Sequence, residues 1–154
     1  MKKQRPCVLF SLCKESFGMD VENVLRVINL EKMMKVPKAP TFIVGAISLD
    51  GNVIPVVDLA MKIELGETSI NDQTKVIVLE IIHDDTTILA GVLIDDVLDV
   101  VTIDESKLIP PVLESMGFDA QSLHGMYKLE ESFYNILNPS KIFEKELASI
   151  ASLA

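Results

Sequence analysis

The chain has 154 residues, 49 % of them hydrophobic, no Trp, and a formal net charge of −9 from 23 acidic against 14 basic side chains; this length fits one domain or two small subdomains with an aliphatic core. Mean hydropathy is positive at +0.35, yet the longest apolar stretches, Val76–Ile82 (broken by Glu80) and Ile88–Ile94, fall far short of the about 20 residues a membrane-spanning helix needs. The acidic balance and the scattered basic residues argue against nucleic acid and anionic membrane surfaces as partners, because both are bound by neutralising phosphates with Lys and Arg.

In chain order, the opening MKKQRPCVLFSLCKE has a basic start, a short apolar run and no small-residue cleavage site, so it reads as a first strand and not as a signal peptide. Cys7–Cys13 is apolar on both faces, as a buried strand is. Its two cysteines lie about 20 Å apart at the usual rise per residue, beyond disulfide reach, and read as reduced thiols of a cytoplasmic protein. Lys14–Gly18 reads as a turn. In Asp20–Ile28 the apolar residues Val21, Val24, Leu25, Val27 and Ile28 fall at helical spacing behind Asp20 as N-cap, which predicts two helical turns and then extended chain, although β-branched residues make the helix weak. Met33 and Met34 suit an adaptable surface, and Val36–Pro40 is a rigid connector. Phe42–Leu49 and Val53–Val57 read as strands joined by the hairpin turn Asp50-Gly51-Asn52, with Pro55 placing the second strand at an edge or a bulge. Asp58–Leu65 reads as a short helix and residues 66–73 as a polar loop.

A second round comes next. Strands are expected at Lys75–Ile82 and Ile88–Ile94 about the turn His83–Thr87, and helical spacing returns in Asp95–Val101. Lys107–Pro111 is a second proline connector. Strands at Leu123–Leu129 and Phe133–Leu137 flank the turn Glu130–Ser132, and Pro139 opens a closing helix over residues 139–147. The two rounds match in sequence. Gly18–Ile28 aligns with Gly91–Val101 at an offset of 73, and the same offset brings Val36-Pro37 onto Ile109-Pro110. Gly45, Leu49 and Asp50 align with Gly125, Leu129 and Glu130 at an offset of 80, as do Asp58 and Asn138; one insertion of seven residues explains the change. Three matches in one order indicate an internal duplication. Each copy, roughly 70 residues with about five short strands, is small for an independent core, so the copies are expected to pack together and leave a groove for a partner.

No chemistry is written in the chain. Its two histidines, His83 and His124, lack the convergent neighbours of a metal site and read as turn or surface residues. There is no phosphate-binding glycine loop and no nucleophile elbow. Asp84-Asp85 and Asp95-Asp96 are adjacent carboxylates, which point to opposite faces of a strand and make poor acid/base pairs. No catalytic residue, metal or cofactor is therefore expected.

Gly45-Ala-Ile-Ser-Leu-Asp-Gly-Asn-Val-Ile-Pro-Val-Val-Asp-Leu59 resembles the signature of the CheW-like family of chemotaxis coupling proteins, usually close to G-x-x-N-L-R-G-x-x-I-P-V-x-D-L. Asp20–Ile28, Val36-Pro37 and Gly91–Val100 match that family in order, and the resemblance spans residues 6–147. It implies a mainly β fold of two interlocked five-stranded SH3-like barrels with short helices, here residues 17–70 as one subdomain and 71–138, packed with the N-terminal strand, as the other. It also implies a non-enzymatic cytoplasmic scaffold joining methyl-accepting chemoreceptors to a CheA-type histidine kinase, without membrane insertion. Val21, Val24 and Val27 match the family's receptor-facing apolar positions. Two positions depart from the pattern: the signature Arg is Asp50 and the signature Asn is Ser48. Arg26 stands where several members carry Glu, so Arg26 and Asp50 are expected to form an ion pair of inverted polarity that bears on kinase or partner choice. A small-ligand-sensing regulatory module and a coupler for a non-flagellar chemosensory pathway are the alternative readings.

Overall fold

The computed structural model describes residues 4–109 and 123–143. Along the chain run β1 (Gln4–Leu12), β2 (Glu15–Asp20), a single 3-10 turn (Val21–Asn23), β3 (Val24–Asn29), β4 (Ile43–Leu49), β5 (Asn52–Asp58), α1 (Leu59–Lys62), β6 (Lys75–His83), β7 (Thr86–Ile94), β8 (Asp96–Asp104), a second 3-10 turn (Glu105–Lys107), β9 (Leu123–Leu129), β10 (Ser132–Leu137) and α2 (Pro139–Ile142). Among the described residues, ten strands form two five-stranded sheets, ordered β8-β1-β2-β10-β9 and β3-β6-β7-β5-β4. The two orders become identical when β1–β5 are exchanged for β6–β10. Each sheet takes two strands from one repeat and three from the other, so the copies are interlocked, and the N-terminal strand β1 lies beside β8 of the second repeat.

The duplication extends to irregular features. The chain beyond each edge strand returns to the opposite edge through one pair of hydrogen bonds, Met34 with Ala46 and Ile109 with Met126, all four at 2.8 Å. Each sheet is thereby curled into a barrel joined by one bridge. These closures demand glycine: a Cβ on Gly45 would lie 2.7 Å from the Met34 carbonyl oxygen, and one on Gly125 would lie 2.7 Å from that of Ile109. Four bulges occur as two related pairs. Leu25 and Leu98 are the extra residues of edge strands β3 and β8, while Val44 and His124 are those of β4 and β9.

Three apolar cores result. Val76, Val78, Ile47, Ile54, Val56 and Leu93 fill one barrel, and Cys7, Ile103, Tyr127 and Ile136 fill the other. The largest core lies between them, with Val8, Phe10, Leu12, Phe17 and Met19 meeting Ile77, Leu79, Ile81, Ala90, Val92 and Ile94. Strand alternation supplies both sides of β6, with Val76 and Val78 inward to the barrel and Ile77, Leu79 and Ile81 outward to the shared core.

Several expectations are corrected. Asp20–Ile28 and Asp95–Val101 are not helical, although Asp20 does cap the one 3-10 turn, accepting from the Glu22 N–H at 2.8 Å. In both segments the bulge leucine adds one residue to the period-2 alternation, so valines recur three residues apart, as on a helix; Val24 and Val27 both pack on the shared core, whereas of the second pair Val97 does and Val100 is exposed. Lys14–Gly18 is largely strand, because Cys13 and Lys14, with φ of 51° and 66°, complete the β1–β2 turn within two residues. Pro55 is not on an edge strand: β5 lies between β4 and β7, and Pro55 sits opposite Ala46, one residue before the parallel ladder to β7 begins at Val56. The missing proline N–H therefore costs no bond there. α1 forms as expected, with the Asp58 carboxylate accepting from the Ala60 N–H and from Thr68. Residues 110–111 of the second connector and 144–147 of the closing helix lie outside the described residues; α2 accounts for its start. Among the described residues no helix is long and apolar enough to cross a membrane.

Candidate protein-docking site

A groove of about 760 Å³ is lined almost wholly by the β3-β6-β7-β5-β4 barrel and the chain that follows its β3, with Val97 of β8 the one lining residue from the other barrel. One wall is the end of β3 and the chain after it (Val27, Ile28, Leu30, Met34), the second is the end of β4 (Ile47, Leu49), and the floor is Val76 of β6 with Val97 of β8 from the other barrel. The Met34–Ala46 bridge holds the first two walls together. Charged side chains in the lining are few: Glu31 and Lys32 are exposed, and Lys75 emerges from the start of β6. Asn29 and Ser48 complete the polar part of the lining; an open trough that sets these polar groups beside Val27, Ile28, Leu30, Ile47 and Leu49 suits an amphipathic helix.

The five expected site residues separate into two sets. Val21, Val24 and Val27 are all half-buried and packed against the shared core, with Val24 opposite Leu79 and Val27 opposite Ile77. Of the three, Val27 also lines the groove; Val21 and Val24 do not. Arg26 follows the Leu25 bulge, and its Nη2 donates to Asp50 Oδ2 at 2.9 Å with side chains 46 % and 68 % exposed. Asp50 and Gly51 have φ of 51° and 83°, the left-handed pair of a two-residue hairpin turn. That turn fixes the carboxylate beside the strand that carries Arg26. Leu25, the residue before Arg26, and Val53, just past the Asp50 turn, are 45 % and 48 % exposed.

Sequence reasoning marked Met34 only as a residue of an adaptable surface, and missed Lys75 and Val97. Val97 was reachable, since it is the repeat equivalent of Val24 at the offset of 73. Lys75 was not, because its partner Asp96 belongs to the other barrel, 3.5 Å from Nζ through Oδ1.

The described titratable groups also gather at the mouth of the other barrel. Arg5 bridges the Asp20 carboxylate, at 3.0 Å, and Glu105, with Cys7 and His124 alongside. Partial burial, then the Arg5 charge, holds the His124 imidazole below its ordinary pKa, with Asp20 and Glu105 opposing. Burial pushes the Cys7 thiol up to about 11, helped by Asp20 and opposed by Arg5. The space among these residues is about 10 Å³, at most one water, so this is a structural clamp and not a ligand site. Among the described residues no three His, Cys, Asp or Glu side chains gather as metal ligands.

Comparison with known proteins agrees with this architecture. The family model described as a CheW-like domain matches residues 6–147. The chemotaxis protein CheW of Bacillus subtilis is 28 % identical over 98 % of this chain and 94 % of its own length, and that of Thermotoga maritima is 31 % identical over 93 % and 90 %. Among solved structures, the scaffolding protein TtCheW of Thermoanaerobacter tengcongensis superposes with a TM-score of 0.80 at 30 % identity, covering 94 % of this chain and 90 % of that one. With the duplicated barrels, their bridges and the signature hairpin all in place, the chain belongs to the CheW-like family.

Proposed function

We propose that this chain is a chemotaxis scaffold that couples the cytoplasmic tips of chemoreceptors to a CheA-type histidine kinase and performs no chemistry itself. The observation that carries the reading is the likeness, over nearly the whole chain, to a protein described as a scaffold. The site supports it: a groove with a largely apolar lining that includes Val27 and Val97, one residue from each barrel's edge strand, with Val21 and Val24 anchoring β3 and the turn before it on the core, is a receptor-helix seat in which β3 is held firmly. A protein that relays a partner's movement must not yield where it is gripped, and close-packed cores meet that need.

The exposed Arg26–Asp50 pair is the partner-selecting element of this reading. It contributes little to folding, but like charges across an interface are penalised. The inverted polarity therefore favours this coupler's own kinase or receptor over conventional ones. Co-sedimentation of the chain with a receptor signalling fragment and a histidine kinase tests the proposal. Ternary assembly with receptor-dependent change in kinase activity is expected; a chain that pellets with neither partner rejects it.

A further inference from the structure

The groove carries a charge that its walls do not account for. Lys75 opens β6, opposite Asn29 of β3 and Ile94 of β7, and its side chain is only 25 % exposed. Its Nζ lies 3.5 Å from Asp96 Oδ1 and 3.4 Å from the Gln73 carbonyl oxygen. Charge-assisted bonds from an ammonium run at about 2.7–2.9 Å, and lysine has three protons to place. Both contacts are therefore loose. The Asp96 oxygen is, moreover, already engaged by the Val97 N–H at 2.9 Å. Lys32, the other cation of the lining, is exposed and is screened by water. Lys75 is thus a weakly held cation in the groove lining, its side chain only a quarter exposed, where an incoming carboxylate meets donor capacity that the fold leaves underused.

The occupant's secondary structure is dictated by the strand edges. β3 and β8 are edge strands, but each is bent by its bulge leucine. On β8 the N–H groups of Val97 and Val100 are taken by the preceding aspartates, Asp96 at 2.9 Å and Asp99 at 2.8 Å. Edges blunted in this way do not template a further strand, whereas a helix satisfies its own backbone and needs only side-chain contacts.

We infer that Lys75 reads the charge of the groove's occupant, and that this occupant is a partner helix bearing an acidic side chain beside its apolar face, drawing Lys75 away from Asp96. The inference rests on the scaffold reading and names the chemistry of the receptor segment. Its test is titration of a chemoreceptor signalling fragment, wild type and with the acidic residues of its tip helices changed to amides, against variants of this chain. Lys75→Met weakens binding about tenfold, Lys75→Arg retains most of it, and the amide fragment shows little difference between wild type and Lys75→Met. Asp96→Asn keeps an acceptor for the Val97 N–H while freeing Lys75, so it binds as tightly as wild type or tighter. Thermal melts of each variant establish that it is folded, and Lys75→Gln replaces Lys75→Met should the latter not fold. Unchanged affinity in Lys75→Met, or equal weakening in Lys75→Met and Asp96→Asn, overturns the inference, the second because it marks a bridge that merely joins the barrels. Failure of the wild-type chain to bind the fragment at all removes the scaffold reading, and this inference with it.

Discussion

Reversing the Arg26–Asp50 pair separates folding from partner choice. The contact is short, 2.9 Å, but its side chains are about half and two-thirds exposed, so water and salt screen it and its worth to folding is at most about 1 kcal/mol. For a chain of this size that corresponds to a melting shift of about 2–4 °C. The variant has to be chosen with the backbone in mind. Asp50 has φ of 51°, which Asn tolerates as well as Asp does, whereas Arg there adds about 1 kcal/mol or more of left-handed strain. Asp50→Asn therefore isolates the stability contribution of the charge, and Asp50→Arg is reserved for the assembly assay. Once a partner covers the pair and excludes water, a wrong charge costs several kcal/mol; an about tenfold loss of assembly needs only about 1.4 kcal/mol. In co-sedimentation with receptor fragment and kinase, Asp50→Arg is expected to reduce ternary complex at least about tenfold. Adding Arg26→Glu removes the repulsion between two cations and restores part of the loss. Melting temperature and assembly should thus move on different scales. Unchanged assembly in both variants, or an assembly loss matched by global unfolding, refutes the partner-selecting role and leaves the scaffold reading standing.

Three further outcomes are expected. Lys14, at φ 66° in the β1–β2 turn, stores left-handed strain, so Lys14→Gly should raise stability by about 1 kcal/mol in denaturant titration. The Cys7 thiol is pushed from 9.0 up to about 11 in the fold; the unfolded thiol ionises first, so stability is full below pH 9 and falls as pH rises toward 11, by about 3 kcal/mol at the end, and alkaline melts of Cys7→Ala should lack this slope. Gly45→Ala and Gly125→Ala both force a Cβ to within 2.7 Å of a carbonyl oxygen, but only Gly125 has a positive φ, 149°. Gly125→Ala should therefore cost more stability by calorimetry, while Gly45→Ala, which displaces Met34 in the groove wall, should cost more receptor binding.

The sequence announced the duplication, the signature hairpin and the short helix α1 because each is written in local chemistry. Asp50-Gly51 tolerates the left-handed turn, and Asp58 caps the helical turn that begins at the next residue. The bulges hid the edge strands, since one added residue converts an alternating pattern into helical spacing at Val24 and Val27, and again at Val97 and Val100. Strand β2 was obscured because its turn is made by Cys13 and Lys14, residues with no turn signature. The groove itself was half-legible. Val27 stood out, whereas the Lys75–Asp96 contact joins two barrels and has no local trace. The Arg26–Asp50 pair was legible only because both positions depart together from a recognised pattern.

The position of the groove is set by the way the copies interlock. Each repeat lends two strands to its partner's barrel, so the shared core is built from both and cannot open without exposing Phe10, Phe17, Leu79 and their neighbours. The cost of such exposure, about 2 kcal/mol for each large side chain, makes the barrels one rigid body under ordinary forces. The groove therefore keeps its shape when occupied, and both edge strands β3 and β8, each bent by a leucine, contribute a residue to its lining, Val27 and Val97. A helix seated there touches both repeats at once. Any displacement of it is delivered to two pseudo-equivalent edges whose flanking charges differ, Arg26 on one and Asp99 on the other. The duplication thus leaves two edges alike in register and bulge but unlike in charge.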